Sequence, residues 1–229
     1  MTDAAGGPRL CTHRPRRTVL YLSLVALALA VIGLCIVFVD TPLAQGMPDP
    51  PDHPVFGYLQ ALAYVIGNCE AGPLLVAAAA VAAGLWWRRF LLTVVVAYLM
   101  RTVGVEGLKW LTGRPRPRQM DGISAFYGPS EHYHSFPSGH AAFAFMFATI
   151  LAAWFPRWRW LWYALAAYVA AIRVIVDAHF ASDVIMGGLV GVLTASLALH
   201  WWPPRGGTRA DAAGASDAEL QARSVRRRA

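Results

Sequence analysis

A set of long apolar runs constrains this chain more than any other feature, because in a hydrocarbon layer backbone polar groups are satisfied inside helices or closed barrels and nowhere else. Residues 18–39, 72–87, 90–111, 138–155, 160–176 and 182–202 are apolar enough to lie in such a layer, which takes about 20 helical residues to cross. The fold class expected is therefore all-α: a polytopic membrane helical bundle of about six transmembrane helices. Composition agrees, at 57% hydrophobic and 14% charged residues, against about 25% charged in soluble domains. Arginines precede the first run as in a signal peptide, but the run continues to Asp40 without a small-residue cleavage site, so a retained first span is expected.

Between the first two runs, a segment rich in Pro and Asp leads into an apolar stretch, residues 55–66, too short to span. It reads as a helix lying on the outer surface. The expected organisation is a tail over 1–17, a six-span domain over 18–202, and a basic, disordered tail over 203–229 ending in Arg226, Arg227 and Arg228. The net charge of +7 is gathered in short turns: Arg14, Arg16 and Arg17 before the first run, Arg88 and Arg89, then Arg157 and Arg159. With the basic tail, one threading puts all of these in the cytoplasm, termini included. Trp86, Trp87, Trp154, Trp158, Trp160, Trp201 and Trp202 flank the same turns, as an interfacial belt does. Membrane orientation thus accounts for the positive charge, and nucleic acid is not expected as a partner. Cys11, Cys35 and Cys69 have no metal-ligand spacing.

The opposite loops keep a second set of cations, Lys109, Arg114, Arg116, Arg118 and Arg173, which the orientation rule alone would hold inside. Either several converge on one polyanion, or they bind outer headgroups without specificity. Their neighbours bear on the choice. Gly113, Pro115 and Pro117 stop a helix between Lys109 and Arg116. Pro137, Ser138, Gly139 and His140 suit a helix start whose N–H groups approach an anion. Arg173 is followed by His179 and then by Asp183, an i, i+4 pair at the entrance to the last run.

These three segments resemble the three signature motifs of the type-2 phosphatidic acid phosphatase family: Lys109, Arg116 and Pro117; Pro137 to His140; and Arg173, His179 and Asp183. One position departs from the pattern, since Ile172 stands where the family has a serine. The motifs occupy about a third of the chain, in order, each at a run end on one face. The resemblance implies a metal-independent phosphohistidine mechanism without cofactor, acting on a lipid phosphate or pyrophosphate at the outer face of the cytoplasmic membrane. In that mechanism His179 attacks phosphorus, Asp183 holds the other ring nitrogen protonated, and His140 protonates the leaving alkoxide. Lys109, Arg116 and Arg173 neutralise the equatorial oxygens, with Ser138 and the Gly139 amide adding hydrogen bonds and Arg114 a possible accessory.

Other residues have plainer expectations. Glu106 pairs with Lys109 or with Arg101, Asp177 is a solvated loop carboxylate, and Gly187, Gly188 and Gly191 serve close helix packing. His132 and His134 lack partners at metal-ligand spacing. Besides hydrolysis, the same residues admit phosphotransfer to a second lipid such as lipid A, vanadate-dependent oxidation, or a non-enzymatic anion transporter. Beyond the lipid phosphate and the bilayer, no obligatory protein partner is expected.

Overall fold

The computed structural model describes residues 15–47, 53–67, 88–119, 126–130 and 132–204. Among these are helices α1 (Pro15–Phe38), α2 (Asp40–Gly46), α3 (Pro54–Gly67), α4 (Arg88–Thr112), α5 (Gly139–Trp154), α6 (Arg159–Ile175) and α7 (Ala181–Trp201), with 3-10 turns at Pro117–Gln119 and Pro156–Trp158. The described chain is a helical bundle without strands, as the apolar runs demand. Five expected runs and the short helix after the first fall on helices. The expected second span, 72–87, lies outside the described residues, as do most of the two tails, Trp86 and Trp87.

Among the described residues, helix length does not confirm the six-span count. Two helices among the described residues are long and apolar enough to cross a membrane, α4 with the turn that follows it and α7, or three if α1 and α2, bent by 50° at their junction, form one span. Helix α5 has 16 residues and α6 has 17, so they rise only about 24 and 26 Å against a layer of about 30 Å. Each has one end tied into the cluster of motif residues, where the chain leaves the helix early.

Helix α5 is the hub, packing against α7, α6, α4 and α3, while α7 also receives α4 and α1. Inside a membrane the hydrophobic effect does not drive such contacts, so close backbone approach and dispersion have to. Small residues make it possible. A Cβ at Gly191 would run into the Ala142 carbonyl and come within 2.8 Å of the Met146 amide, and one at Gly187 would strike the Ser138 carbonyl. Buried Ala141 and Ala142 of α5 complete the seam. The outer surface is apolar: Leu22, Leu27, Leu34, Phe38, Val103 and Trp160 are all exposed, as suits helices facing lipid.

Two backbone features position the site. At the α1/α2 break Asp40 turns inward and is 1% exposed. After α6, Asp177 takes a left-handed conformation (φ 52°), which Asp tolerates better than most residues. The turn lets the Arg173 carbonyl accept N–H groups from both Ala178 and His179, at 3.1 and 3.2 Å. His179 is thereby folded back beneath Arg173.

The seam predicts its own failure. Gly191→Val should destabilise the protein by about 1–3 kcal/mol, measured by thermal unfolding in detergent, while Gly107→Ala, with nothing within 4 Å of the added methyl, should melt like the parent. Equal melting of Gly191→Val would mean that α5 and α7 do not touch as described.

Candidate active site

Four helix ends meet: the C-termini of α4 and α6 and the N-termini of α5 and α7. Helix α4 stops at Gly113 (φ 52°), whose N–H donates to the Lys109 carbonyl at 3.0 Å in a left-handed helix end. The chain then returns along that end. The N–H groups of Gly128, Ser130 and Ser135 donate to the carbonyls of Thr112, Trp110 and Arg114 at 3.1, 3.2 and 2.9 Å. The Ser135 carbonyl is thus fixed by bonds that begin on α4.

Ser138 caps α5. Its hydroxyl accepts the Ala141 N–H at 3.4 Å, and its own N–H donates to the Asp183 carbonyl at 2.9 Å, joining the starts of α5 and α7. The Gly139 Cα faces two cations: a side chain there would lie 3.1 Å from Arg101 Nη2 and 3.8 Å from Lys109 Nζ. Arg101 Nη2 donates to the Gly139 carbonyl at 2.6 Å, and Glu106 pairs with Lys109 at 2.8 Å. His140 stacks obliquely on Tyr64 of α3 (5.4 Å between centroids), and its Nε2 is buried without a hydrogen-bond partner among the described residues.

His179 is 4% exposed, and its Nδ1 lies 2.9 Å from the Ser135 carbonyl oxygen. A carbonyl can only accept, so Nδ1 carries the proton and the lone pair is on Nε2. The ring tautomer is therefore set by a backbone carbonyl. Asp183 stands 3.6 Å from Nδ1, outside hydrogen-bond range. Its Oδ2 instead accepts the Ser135 hydroxyl at 2.5 Å and the Phe180 N–H at 2.9 Å. The expected direct bond from Asp183 to the ring is replaced by a shared arrangement: the carboxylate holds Ser135 and the start of α7, and acts on the ring through space.

Arg114 also departs from its expected place. It is fully buried, with Nη1 on Asp183 at 2.5 Å and on the Ser182 hydroxyl at 2.7 Å, and Nη2 on Asp40 at 2.7 Å. Its guanidinium lies over the Phe180 ring, 4.1 Å from the centroid. Two carboxylates and an aromatic face surround it, which places Arg114 as a support for Asp183. Arg118 donates to the Val176 carbonyl at the end of α6.

The remaining motif residues gather around the histidines. Arg173 and Arg116 act electrostatically on His179, and Arg173, Lys109 and Arg101 act on His140. Arg116 is exposed, Arg173 half-buried, and Arg173 Nε lacks a partner among the described residues. Burial holds the His179 imidazole below its ordinary pKa, outweighing the opposing pull of Asp183, so the ring is neutral near pH 7. No three His, Cys, Asp or Glu side chains among the described residues are grouped as a metal site would require.

Sequence reading missed Asp40, Ser182, Ser135 and Tyr64. Ser135 had a signal in its place two residues before the Pro-Ser-Gly-His segment, and Asp40 in being an acid that ends an apolar run. Ser182 and Tyr64 had none.

The model of the PAP2 superfamily matches residues 89–206, just over half of the chain. The lipid A 1-phosphatase of Rhizobium etli is 39% identical over 112 residues, covering 43% of this chain and 48% of that protein. The undecaprenyl-diphosphatase of Sulfolobus acidocaldarius is 31% identical over 101 residues, covering 44% and 49%. The chain thus spans about half the length of these relatives. Aquifex aeolicus LpxE shares the fold at a TM-score of 0.50 and 24% identity, covering 65% of this chain and 87% of that one. The Bacillus subtilis transmembrane PAP2-type phosphatidylglycerolphosphate phosphatase shares it at 0.53 and 21%, covering 80% and 94%. Motifs, helix arrangement and family match agree, and the chain belongs to the PAP2 superfamily.

Proposed function

We propose that this protein removes phosphate from a lipid phosphate monoester or pyrophosphate through a phosphohistidine on His179, without a metal ion. The observation that carries this reading is the committed tautomer of His179: Nδ1–H bound to the Ser135 carbonyl, Nε2 free to act as nucleophile, with Arg116 and Arg173 nearby. Attack by Nε2 forms the N–P bond as the bond to the lipid alkoxide breaks, and His140 supplies the proton the alkoxide needs. The cations stabilise the charge spread over the equatorial oxygens, to which the start of α5 adds its N–H groups. Water then attacks phosphorus with His140 as base, releasing phosphate and restoring His179.

The lipid class is supported by the surroundings. An apolar cavity of about 300 Å³ lies between α3, α5 and α6, walled by Ile66, Phe143, Ala144, Phe147 and Trp162. Phe143 and Ala144 sit about one turn along α5 from His140. The named relatives act on lipid A and undecaprenyl diphosphate, and phosphatidic acid, phosphatidylglycerol phosphate and undecaprenyl pyrophosphate are the candidates here. The basic turns support a site on the outer face of the cytoplasmic membrane, with both termini inside.

Purified protein in detergent with excess chelator should release phosphate from at least one member of a panel of lipid phosphates and pyrophosphates. His179→Ala should abolish release, a fall of several orders of magnitude. Loss of parental activity on chelation, restored by a divalent ion, would contradict the metal-free reading, and near-parental turnover by His179→Ala would remove the nucleophile. Transfer of the label to a second lipid in place of water would identify a phosphotransferase.

Acid pH tests the burial of His179. Because its pKa is shifted down, the ring stays neutral where a free imidazole is half-protonated, so the acid limb of kcat/KM should lie below about pH 6.5. A limb at or above that value would show that the imidazole is not buried in its neutral form.

A further inference from the structure

We infer that Asp40 is a positioning residue for the histidine nucleophile: it neutralises Arg114, so that the charge of Asp183 remains available to His179. This role rests on the phosphohistidine reading above. Asp40 is remote in sequence from all three motifs, yet it enters the core of the site. Its carboxylate takes Arg114 Nη2 at 2.7 Å, the Ser182 N–H at 3.1 Å and the Ser182 hydroxyl at 2.5 Å. Both side chains of the Asp40–Arg114 pair have 0% exposure. Asp40 and His179 also line one small cavity, of about 10 Å³, together with Pro117, Asp177 and Phe180.

Burying a carboxylate here is costly, and an arginine needs only one partner to be neutral. Arg114 already has Asp183 at 2.5 Å. With those two alone the pair would be electrically closed, and Asp183 would have little field left for the ring 3.6 Å away. Asp40 changes the count. Two carboxylates against one guanidinium leave one negative charge beside a neutral imidazole. When Nε2 takes the phosphoryl group and Nδ1 keeps its proton, the ring becomes cationic, and Asp40, Arg114, Asp183 and His179 together become neutral. The lipid alkoxide leaves with the proton from His140, so no other charge is created in this group. The site is thus most nearly balanced in the state the reaction must reach, which is where an electrostatic contribution raises turnover.

Every charged group facing His179 enters the expectation. Asp183 comes from α7, Arg173 from α6, His140 from α5, Arg114 and Arg116 from the segment after α4, and Asp40 from α2, with Asp177 in the adjoining turn. Of these, Asp40 and Arg114 can be altered without touching a residue placed against the phosphate.

The test compares the full-length parent with Asp40→Asn, Arg114→Gln and the double variant, using a lipid phosphate that the parent hydrolyses. Asp40→Asn should lower kcat by about tenfold, leave KM within about twofold, and move the acid limb down by about one pH unit. Arg114→Gln should move the limb up, and the double variant should return it towards the parent, so that the limbs follow net charge. A double variant with a limb no higher than that of Asp40→Asn, or an Asp40→Asn protein with parental kcat and limb, would overturn the inference and leave a structural ion pair. Should Asp40→Asn lose its helical signal or elute as aggregate, Arg114→Gln against the double variant carries the same comparison: unchanged limbs there overturn it. A parent that hydrolyses no lipid phosphate overturns the phosphatase reading and this role with it, whereas an active parent with unordered limbs overturns this role alone.

Discussion

The site depends on one buried guanidinium. Arg114 lies between Asp40 and Asp183, and through them it ties the junction of α1 and α2, the end of α4 and the start of α7 to a single point. Asp183 then anchors Ser135, and the Ser135 carbonyl sets the tautomer of His179. Removing one partner of such a buried pair costs about 3–5 kcal/mol, because the other charge is left uncompensated. The arrangement is best placed where it is, at a helix N-terminus, whose dipole favours the two carboxylates. Asp40 accepts the Ser182 N–H and Asp183 the Phe180 N–H, so the two carboxylates around Arg114 also satisfy backbone groups that α7 would leave unpaired.

The surrounding bundle makes this possible through its small residues. The close approach of α5 and α7 at Gly187 and Gly191 puts the Ser138 N–H on the Asp183 carbonyl. The start of α5 is thereby registered at backbone level to the start of α7 and to His179, which immediately precedes it, without reliance on long side chains. The cations follow a different rule. Arg116 is exposed and so remains hydrated and adjustable, whereas Lys109 is only 17% exposed and is held by Glu106.

Much of this was legible in the sequence for a physical reason: hydrocarbon leaves the backbone no option but helix, and apolar runs locate helices directly. The motif residues were legible because Gly113, Pro137 and Ser138 mark helix ends and because cations outside the basic turns need an explanation. What could not be read was which end residues touch. Arg114 sits inside the first motif and looks like a phosphate ligand; only the fold shows that Asp40, more than seventy residues away, occupies it. The distance from Asp183 to the imidazole was equally hidden, since i, i+4 spacing puts two side chains on one face without saying that they bond. Helices α5 and α6 match their apolar runs to within one residue at each end, yet at 16 and 17 residues both fall short of the thickness of the layer.

The central claim is that His179 reacts through Nε2 because its Nδ1–H is bound to the Ser135 carbonyl. The direct measurement is the position of the phosphoryl group on the ring: trap the phosphoenzyme with an alkaline quench after mixing with a lipid phosphate substrate, and assign the phosphohistidine isomer by NMR of the isolated peptide. Phosphate on Nε2 of His179 is the result the hydrogen bond requires. Phosphate on Nδ1, or on His140, would contradict it.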